Sequence, residues 1–337
     1  MCGGSQHLRW HKAPRRFRLN LMRDAKPTLP PIALVRPVPA WARVKTAPTS
    51  DREAAFAAGA SLAALDAVLR LEPVFAGVWR QRLALSAAAA TLRLMGRRED
   101  EAALRDAWCF HATGDDPGPS GQILRTWRQL AQRSSGWPAK VIEQAAKALD
   151  LDLEDRAGEF VTLLESPAQA EGSPLADVTA LSEAVVLRFP QAEVLALMLA
   201  DLGLAARMRW PIPMPLLMTQ ITHPILRVGE PRRRPRPGED GWSRTLASAY
   251  ALAATSAIDL AADLERRTGT LQMAVPKLRA KGAGGVVAAL LADDALTPAS
   301  APGEMTDRGL RRLFDRLVEL GAVRELSGRP TFRIYGL

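Results

Sequence analysis

The clearest hydrophobic period in the chain lies near its end, between residues 306 and 321. There, large apolar side chains recur every three or four positions, which predicts a helix with one apolar face. Thr306 is a suitable N-cap for this helix, and Gly321 is a suitable terminator because glycine readily adopts a left-handed conformation. The residues on the apolar face are Leu310, Leu313, Phe314, Leu317 and Leu320.

Two short β-like runs follow this helix and flank the sequence Ser-Gly-Arg-Pro at residues 327–330. This sequence has turn chemistry, so the two runs are predicted to pair as a hairpin. A helix, a glycine, a strand, a basic turn and a strand are the usual ending of a winged-helix domain, which we predict at residues 276–337. Two prolines and a glycine between residues 291 and 306 leave room for only a short second helix or for none. The hairpin side chains expected to cover the helix are Val323, Phe332, Ile334 and Tyr335.

The rest of the chain favours helices over sheets, because it is rich in alanine and leucine and poor in alternating β-branched runs. We expect Phe56 and Trp127 to point inward from two of these helices. The predicted fold class is mainly α, with a multi-helix body followed by a C-terminal winged-helix domain that carries a small β-hairpin. Periodicity and capping residues predict the other helices at residues 50–71, 78–94, 99–110, 122–132, 138–149, 155–164, 175–188, 191–207, 243–267 and 286–291.

Changes in composition divide the chain into four predicted segments. The first is basic and proline-rich and is expected to be disordered, and Met22 within it offers an alternative start. A helical body, a Pro/Arg-rich linker with a long helix, and the winged-helix-like domain follow. The predicted bounds are 1–49, 50–210, 211–275 and 276–337.

The charge of the chain favours polyanionic partners. Its net charge is +9, and its pI is about 10.2. Arginines on a helix and a wing can neutralise phosphates and reach guanine edges in the major groove of DNA. The predicted DNA-binding residues are Arg308, Arg311, Arg312, Arg316, Arg329 and Arg333 in the winged helix, with Arg232, Arg233, Arg234 and Arg236 in the proline-rich loop.

Both groups of arginines also have a plain structural interpretation. Asp307, Asp315 and Glu319 stand at helical spacing from the arginines of the last helix, so these charges could pair on a solvated face. The loop at residues 232–238 could equally be a flexible surface linker.

Three functional hypotheses follow. The first is a non-enzymatic DNA-binding or DNA-associated accessory protein that acts through the winged helix. The second is a protein–protein adaptor whose winged helix docks a partner subunit encoded nearby, since the short or absent second helix weakens groove docking. The third is a metal-dependent hydrolase, because carboxylates and a histidine can hold a divalent metal. The acidic cluster in question comprises Glu99, Asp100, Glu101, Asp106, His111, Asp115 and Asp116.

Several features argue against catalysis and against cofactors. The acidic cluster also fits helix-surface ion pairs followed by an ordinary turn, so we expect no enzyme. The glycines at 282–285 lack the strand before them and the Lys-Ser/Thr after them that a phosphate loop requires. Cys2 and Cys109 are too few and too far apart for a disulfide framework or a zinc cluster. Apolar stretches are interrupted before they reach membrane-spanning length, so we expect a cytoplasmic protein without cofactor, metal or membrane contact. The sequence indicates no oligomeric state.

Several motifs, taken in order, resemble a known family. They include residues 56–66, residues 96–106, the sequence Pro-Lys-Leu-Arg-Ala-Lys-Gly at 276–282, and residues 320–335. From about residue 40 onward the chain resembles the bacterial domain-of-unknown-function family fourteen-oh-three. Members of that family are common on plasmids and mobile elements of alphaproteobacteria, so the resemblance implies a mobile-element protein but no established activity.

The C-terminal segment alone also resembles the winged-helix tails of Fic-type proteins. That resemblance carries no catalytic residues. The Fic active-site pattern requires phenylalanine after His-Pro, whereas His223-Pro224 continues here with Ile225. AMP transfer is therefore not implied.

Overall fold

The structure is a computed structural model that describes residues 34–111, 115–133, 137–165, 172–302 and 305–337. The described residues are mainly helical, as predicted. Met22 and the rest of the tail before residue 34 lie outside them. The α-helices are α1 (Asp51–Arg70), α2 (Ala76–Leu94), α3 (Glu101–Cys109), α4 (Gly118–Leu130), α5 (Ala139–Ala148), α6 (Ala157–Glu165), α7 (Pro174–Arg188), α8 (Glu193–Met208), α9 (Leu217–Gln220), α10 (Trp242–Ala274), α11 (Ala283–Ala292) and α12 (Asp307–Glu319).

Helix α10 is the centre of the core, and buried side chains follow its whole length. Helix α1 packs along it through alanines, whose small side chains let two helices approach closely. The indole N–H of Trp79 on α2 donates to the carbonyl oxygen of Ala257 at 2.9 Å, which satisfies a polar atom inside the core. Phe56 on α1 was expected to point inward, but it is 62% exposed. The alanines at the contact between α1 and α10 are Ala54, Ala58, Ala247 and Ala251.

Helix α10 is also longer than predicted, because it ends at Ala274 rather than at residue 267. By length and composition alone, the helical stretch Trp242–Lys277 could cross a membrane, which differs from the expectation that no stretch reaches that length. However, 67% of its most apolar window is buried inside the protein. Such burial is also what the central helix of a helical core requires.

Residues 34–43 lie along α10, although they belong to the segment expected to be disordered. The backbone N–H of Leu34 donates to Glu265 at 2.8 Å, and the guanidinium of Arg43 pairs with Asp259 at 2.7 Å. Prolines prevent a regular helix here, but the aliphatic side chains between them still reach the core. The buried residues are Val35, Val38 and Ala42.

The C-terminal segment contains the predicted helix and hairpin. Thr306 caps α12 by accepting a hydrogen bond from the N–H of Gly309 at 3.2 Å. Strands β1 (Arg324–Glu325) and β2 (Tyr335–Gly336) pair in antiparallel fashion, and Tyr335 also forms a bridge with Leu296. Between α11 and α12, the described residues include no helix, which agrees with the expected loss of the second helix.

The apolar face of α12 is covered largely as predicted. Phe314 stacks on Tyr335 with their ring centroids 4.5 Å apart, and Val323 and Ile334 are buried beside them. Phe332 was expected to join them, but it is 72% exposed. Its ring lies edge-on against Phe110, the residue that follows α3, so the hairpin turns toward the helical body.

Two adjacent aspartates join the C-terminal segment to the helical body. The carboxylate of Asp294 pairs with Arg82 of α2 at 3.0 Å and with Arg105 of α3 at 2.6 Å. Asp293 pairs with Arg128 of α4 at 2.7 Å. We call these five residues the aspartate clamp. The Asp294 side chain is only 5% exposed, so its charge depends on these partners.

Two glycines allow the backbone to approach closely around the clamp. A Cβ atom at Gly77 would lie 2.7 Å from the Cα of Ala292, and one at Gly336 would lie 2.5 Å from the carbonyl oxygen of Asp294. Residues 34–337 form one compact unit with a core that continues through all parts of it. The domain boundaries predicted near residues 211 and 276 stay predictions.

A single buried carboxylate organises the start of α9. Asp201 of α8 accepts hydrogen bonds from the N–H groups of Leu216 and Leu217 at 2.9 and 3.1 Å. Burial raises the pKa of Asp201 to about 7, and the two N–H donors only partly oppose that shift.

We expect Asp294→Ala to lower the free energy of unfolding by about 3–5 kcal/mol, because it leaves Arg82 and Arg105 without their buried partner. Asp263→Ala is the matched control. Asp263 also bridges two arginines, on the more exposed surface of α10, and its loss should cost no more than about 1 kcal/mol. Urea denaturation of both variants measures the difference, and equal losses would show that the clamp contributes no more than a surface pair.

The raised pKa of Asp201 predicts a pH dependence of stability. Between about pH 4 and about pH 7 the folded protein holds a proton at Asp201 that the unfolded chain releases. The contribution of Asp201 to stability should therefore fall as pH rises through this window. Urea denaturation of the wild type and of Asp201→Asn at several pH values should show the wild type losing stability relative to the variant as pH rises. Parallel curves would contradict the raised pKa.

Candidate functional site

The arginines of α12 differ in the partners that they have. Arg311 and Arg316 pair with acidic residues on the same helix, at 2.7 and 3.0 Å, as the plain structural interpretation expected. Arg308 and Arg312 are exposed, and neither side chain has a partner within the described part of the chain. These two guanidinium groups are therefore available to an external anion.

One side of α12 forms a groove with the loop at residues 276–280, and we call it the basic groove. Its volume is about 740 Å³. Four cationic residues line it, and no acidic residue does among those described. Leu278, Met305 and Leu313 give it an apolar floor. The four cations are Lys277, Arg279, Arg312 and Arg316.

Lys277 and Arg279 were not among the predicted DNA-binding residues. The signal was present, since residues 276–281 read Pro-Lys-Leu-Arg-Ala-Lys without an acid. Only the fold, which places this loop beside α12, shows that these cations share a surface with Arg312.

The predicted wing lies against the helical body. Arg329 forms an ion pair with Asp106 of α3, and Arg333 lies 3.6 Å from Asp315 of α12. Together with the contact between Phe332 and Phe110, these pairs place the hairpin against the helical body. The wing arginines therefore lie apart from the lining of the basic groove.

The proline-rich loop is held in place by its own arginines. Arg234 and Arg236 both pair with Glu193 at the start of α8, the second at 2.7 Å. Arg233 pairs with Glu239 at 2.5 Å. Arg232 has no side-chain partner in the described part of the chain. The structure thus differs from the flexible-linker interpretation of this loop.

The residues of the acidic cluster are engaged separately. Glu99 accepts from the hydroxyl of Ser120 at 2.5 Å, Asp106 pairs with Arg329, and Asp116 accepts from the N–H of Gly118 at 3.0 Å. Over the described ranges, no three acidic, histidine or cysteine side chains are placed to hold a metal ion. The geometry there gives the hydrolase alternative no support.

Cys109 lies beside the aspartate clamp in a small enclosed space. Burial raises the pKa of its thiol to about 12, and the charges of Asp293 and Asp294 act in the same direction. The thiol therefore stays protonated at neutral pH and is a poor nucleophile.

Comparison with protein-family models gives one result that covers almost the whole chain. Residues 31–337 match the model described as "Protein of unknown function (DUF1403)". No curated protein matches the chain. The resemblance inferred from the ordered motifs is confirmed, and the chain belongs to this family.

Proposed function

We propose that the protein binds DNA without catalysing a reaction on it, and that the basic groove holds the phosphates. The observation that carries the proposal is the lining of the groove, with four cations and no acid among the described residues. Phosphate neutralisation supplies most of the affinity of such proteins for DNA. A net charge of +9 is consistent with a polyanionic partner.

The order of elements around the groove supports a winged-helix type of arrangement. Helix α11, a bridge at Leu296, helix α12 and the hairpin follow one another, and Tyr335 pairs with both Leu296 and Glu325. A turn replaces the second helix, and the hydroxyls of Thr297 and Ser300 stabilise it through mutual hydrogen bonds. In this arrangement α12 corresponds to the recognition helix, whose usual position is the major groove.

The proposal departs from a standard winged helix at the wing. Arg329 is engaged by Asp106, so we assign the phosphate contacts to the loop at residues 276–280 and to α12. Arg316 shares its charge with Glu319 in an exposed pair, which is worth little and can exchange for a phosphate. Four phosphate contacts would give a dependence of log K on log salt with a slope of roughly −3 to −4.

A specific observation also favours the adaptor as a second candidate. The floor of the groove is apolar, with Leu278 and Met305 half-buried and Leu313 buried. An acidic peptide with apolar anchors would contact both the apolar floor and the four cations, whereas phosphates would contact only the cations.

The test is the binding of a short DNA duplex to single variants, followed by fluorescence anisotropy between about 50 and 200 mM salt. Arg279→Ala and Arg312→Ala should each weaken binding and flatten the salt slope by about one unit, because each removes one phosphate contact. Arg311→Ala is the matched control, since Arg311 is exposed on the same helix but does not line the basic groove.

If Arg311→Ala and Arg312→Ala weaken DNA binding equally, the basic groove is not the site that holds the phosphates. If the wild type shows no salt-dependent DNA binding, and instead retains a protein partner at high salt that Arg312→Ala releases, the adaptor is the correct function.

A further inference from the structure

A second basic surface lies in the helical body, formed by the proline-rich loop and the end of α9. It is a concave site of about 400 Å³, and we call it the arginine cup. Leu94 and Ile221 provide its apolar wall. Glu230 and Asp240 belong to the same loop but do not line the cup. Its polar lining consists of Thr222, His223, Arg227, Arg232, Arg233, Arg234 and Arg236.

The shape of the cup is set before any ligand arrives. Val228 and Arg233 exchange two backbone hydrogen bonds, at 2.9 and 3.2 Å, which close the loop. Glu193 forms ion pairs with both Arg234 and Arg236. The guanidinium of Arg236 also donates to the carbonyl oxygen of Pro190 at 3.2 Å. A site that needs little ordering loses little binding free energy to entropy.

The charge of the cup is only partly neutralised from within. Five guanidinium groups line it, and two carboxylates, those of Glu193 and Glu239, pair with three of them. The remaining two, on Arg227 and Arg232, are exposed and have no side-chain partner in the described part of the chain. An excess of positive charge in a concave site favours a ligand with concentrated negative charge.

His223 adds a further hydrogen-bond donor. Its Nδ1 accepts from the N–H of Ile225 at 3.2 Å. In the neutral ring the hydrogen is then carried by Nε2, which can donate.

From this arrangement we propose that the arginine cup binds a small molecule that carries a pyrophosphate group. The guanidinium groups of Arg227 and Arg232 donate to the phosphate oxygens, since arginine binds phosphate through two parallel N–H groups. The apolar wall contacts any organic part of the ligand. The volume of the cup lies within the range of small-molecule sites, whereas a DNA backbone follows an open surface. This assignment replaces the DNA contact predicted for Arg232, Arg233, Arg234 and Arg236, and it is independent of the basic groove.

Isothermal titration of the full chain with inorganic pyrophosphate and, separately, with ATP tests the proposal. We expect saturable binding of one ligand per chain. The double variant Arg227→Ala/Arg232→Ala should weaken it about tenfold or more, because two charge-assisted contacts are lost. Neither side chain has a partner among the described residues, so the variant should fold, and its melting temperature checks this. Tighter binding of ATP than of pyrophosphate identifies a nucleotide ligand, and equal binding identifies the pyrophosphate group alone.

Two control variants make the result decisive. Arg244→Ala removes an exposed arginine that pairs with Asp51 and does not line the cup, so it should leave binding unchanged. Arg312→Ala alters only the basic groove and should also have no effect. The proposal is overturned if the wild type binds neither ligand, if the double variant binds as the wild type does, or if Arg312→Ala abolishes the binding.

Discussion

The aspartate clamp is the constraint on which the position of the C-terminal segment depends. Asp294 is almost completely buried, and a buried carboxylate is tolerated only where cations and hydrogen-bond donors surround it. Arg82 of α2 and Arg105 of α3 pair with Asp294, and Arg128 of α4 pairs with the adjacent Asp293. The end of α11 is therefore fixed relative to α2, α3 and α4.

This fixed position decides which surfaces remain open. With α11 held at the clamp, the hairpin lies on α3, where Arg329 pairs with Asp106 and Phe332 contacts Phe110. The opposite side of α12 faces the loop at residues 276–280, and the basic groove forms between them. The charges of the wing are thus used internally, whereas Arg312 in the groove has no partner in the described part of the chain.

The helices were largely predictable, because each depends on a local period and a local cap. Ser50 and Thr306 begin their helices as expected, since their hydroxyls accept hydrogen bonds from backbone N–H groups three residues later. Side-chain burial was less predictable at single positions such as Phe56 and Phe332, where a helical or strand period does not show which neighbour will cover the ring.

The candidate sites were predictable only in part, because charge pairing is a long-range property. Nothing near Arg329 in the sequence indicates that Asp106 will neutralise it, and nothing near Arg236 indicates Glu193. Local spacing did identify the pairs of Arg311 and Arg316, which stay within α12. Arginines such as Arg312, which has no partner over the described ranges, could be recognised only after these distant pairs were known.

We propose that DNA contacts the basic groove rather than the wing. Hydrogen–deuterium exchange of the full chain with and without a saturating DNA duplex tests it most directly, because exchange locates the contact without any substitution. We expect DNA to slow exchange in residues 276–282 and in α12, while residues 228–239 and the hairpin at 324–336 keep their rates. Protection of the hairpin without protection of residues 276–282 would contradict it.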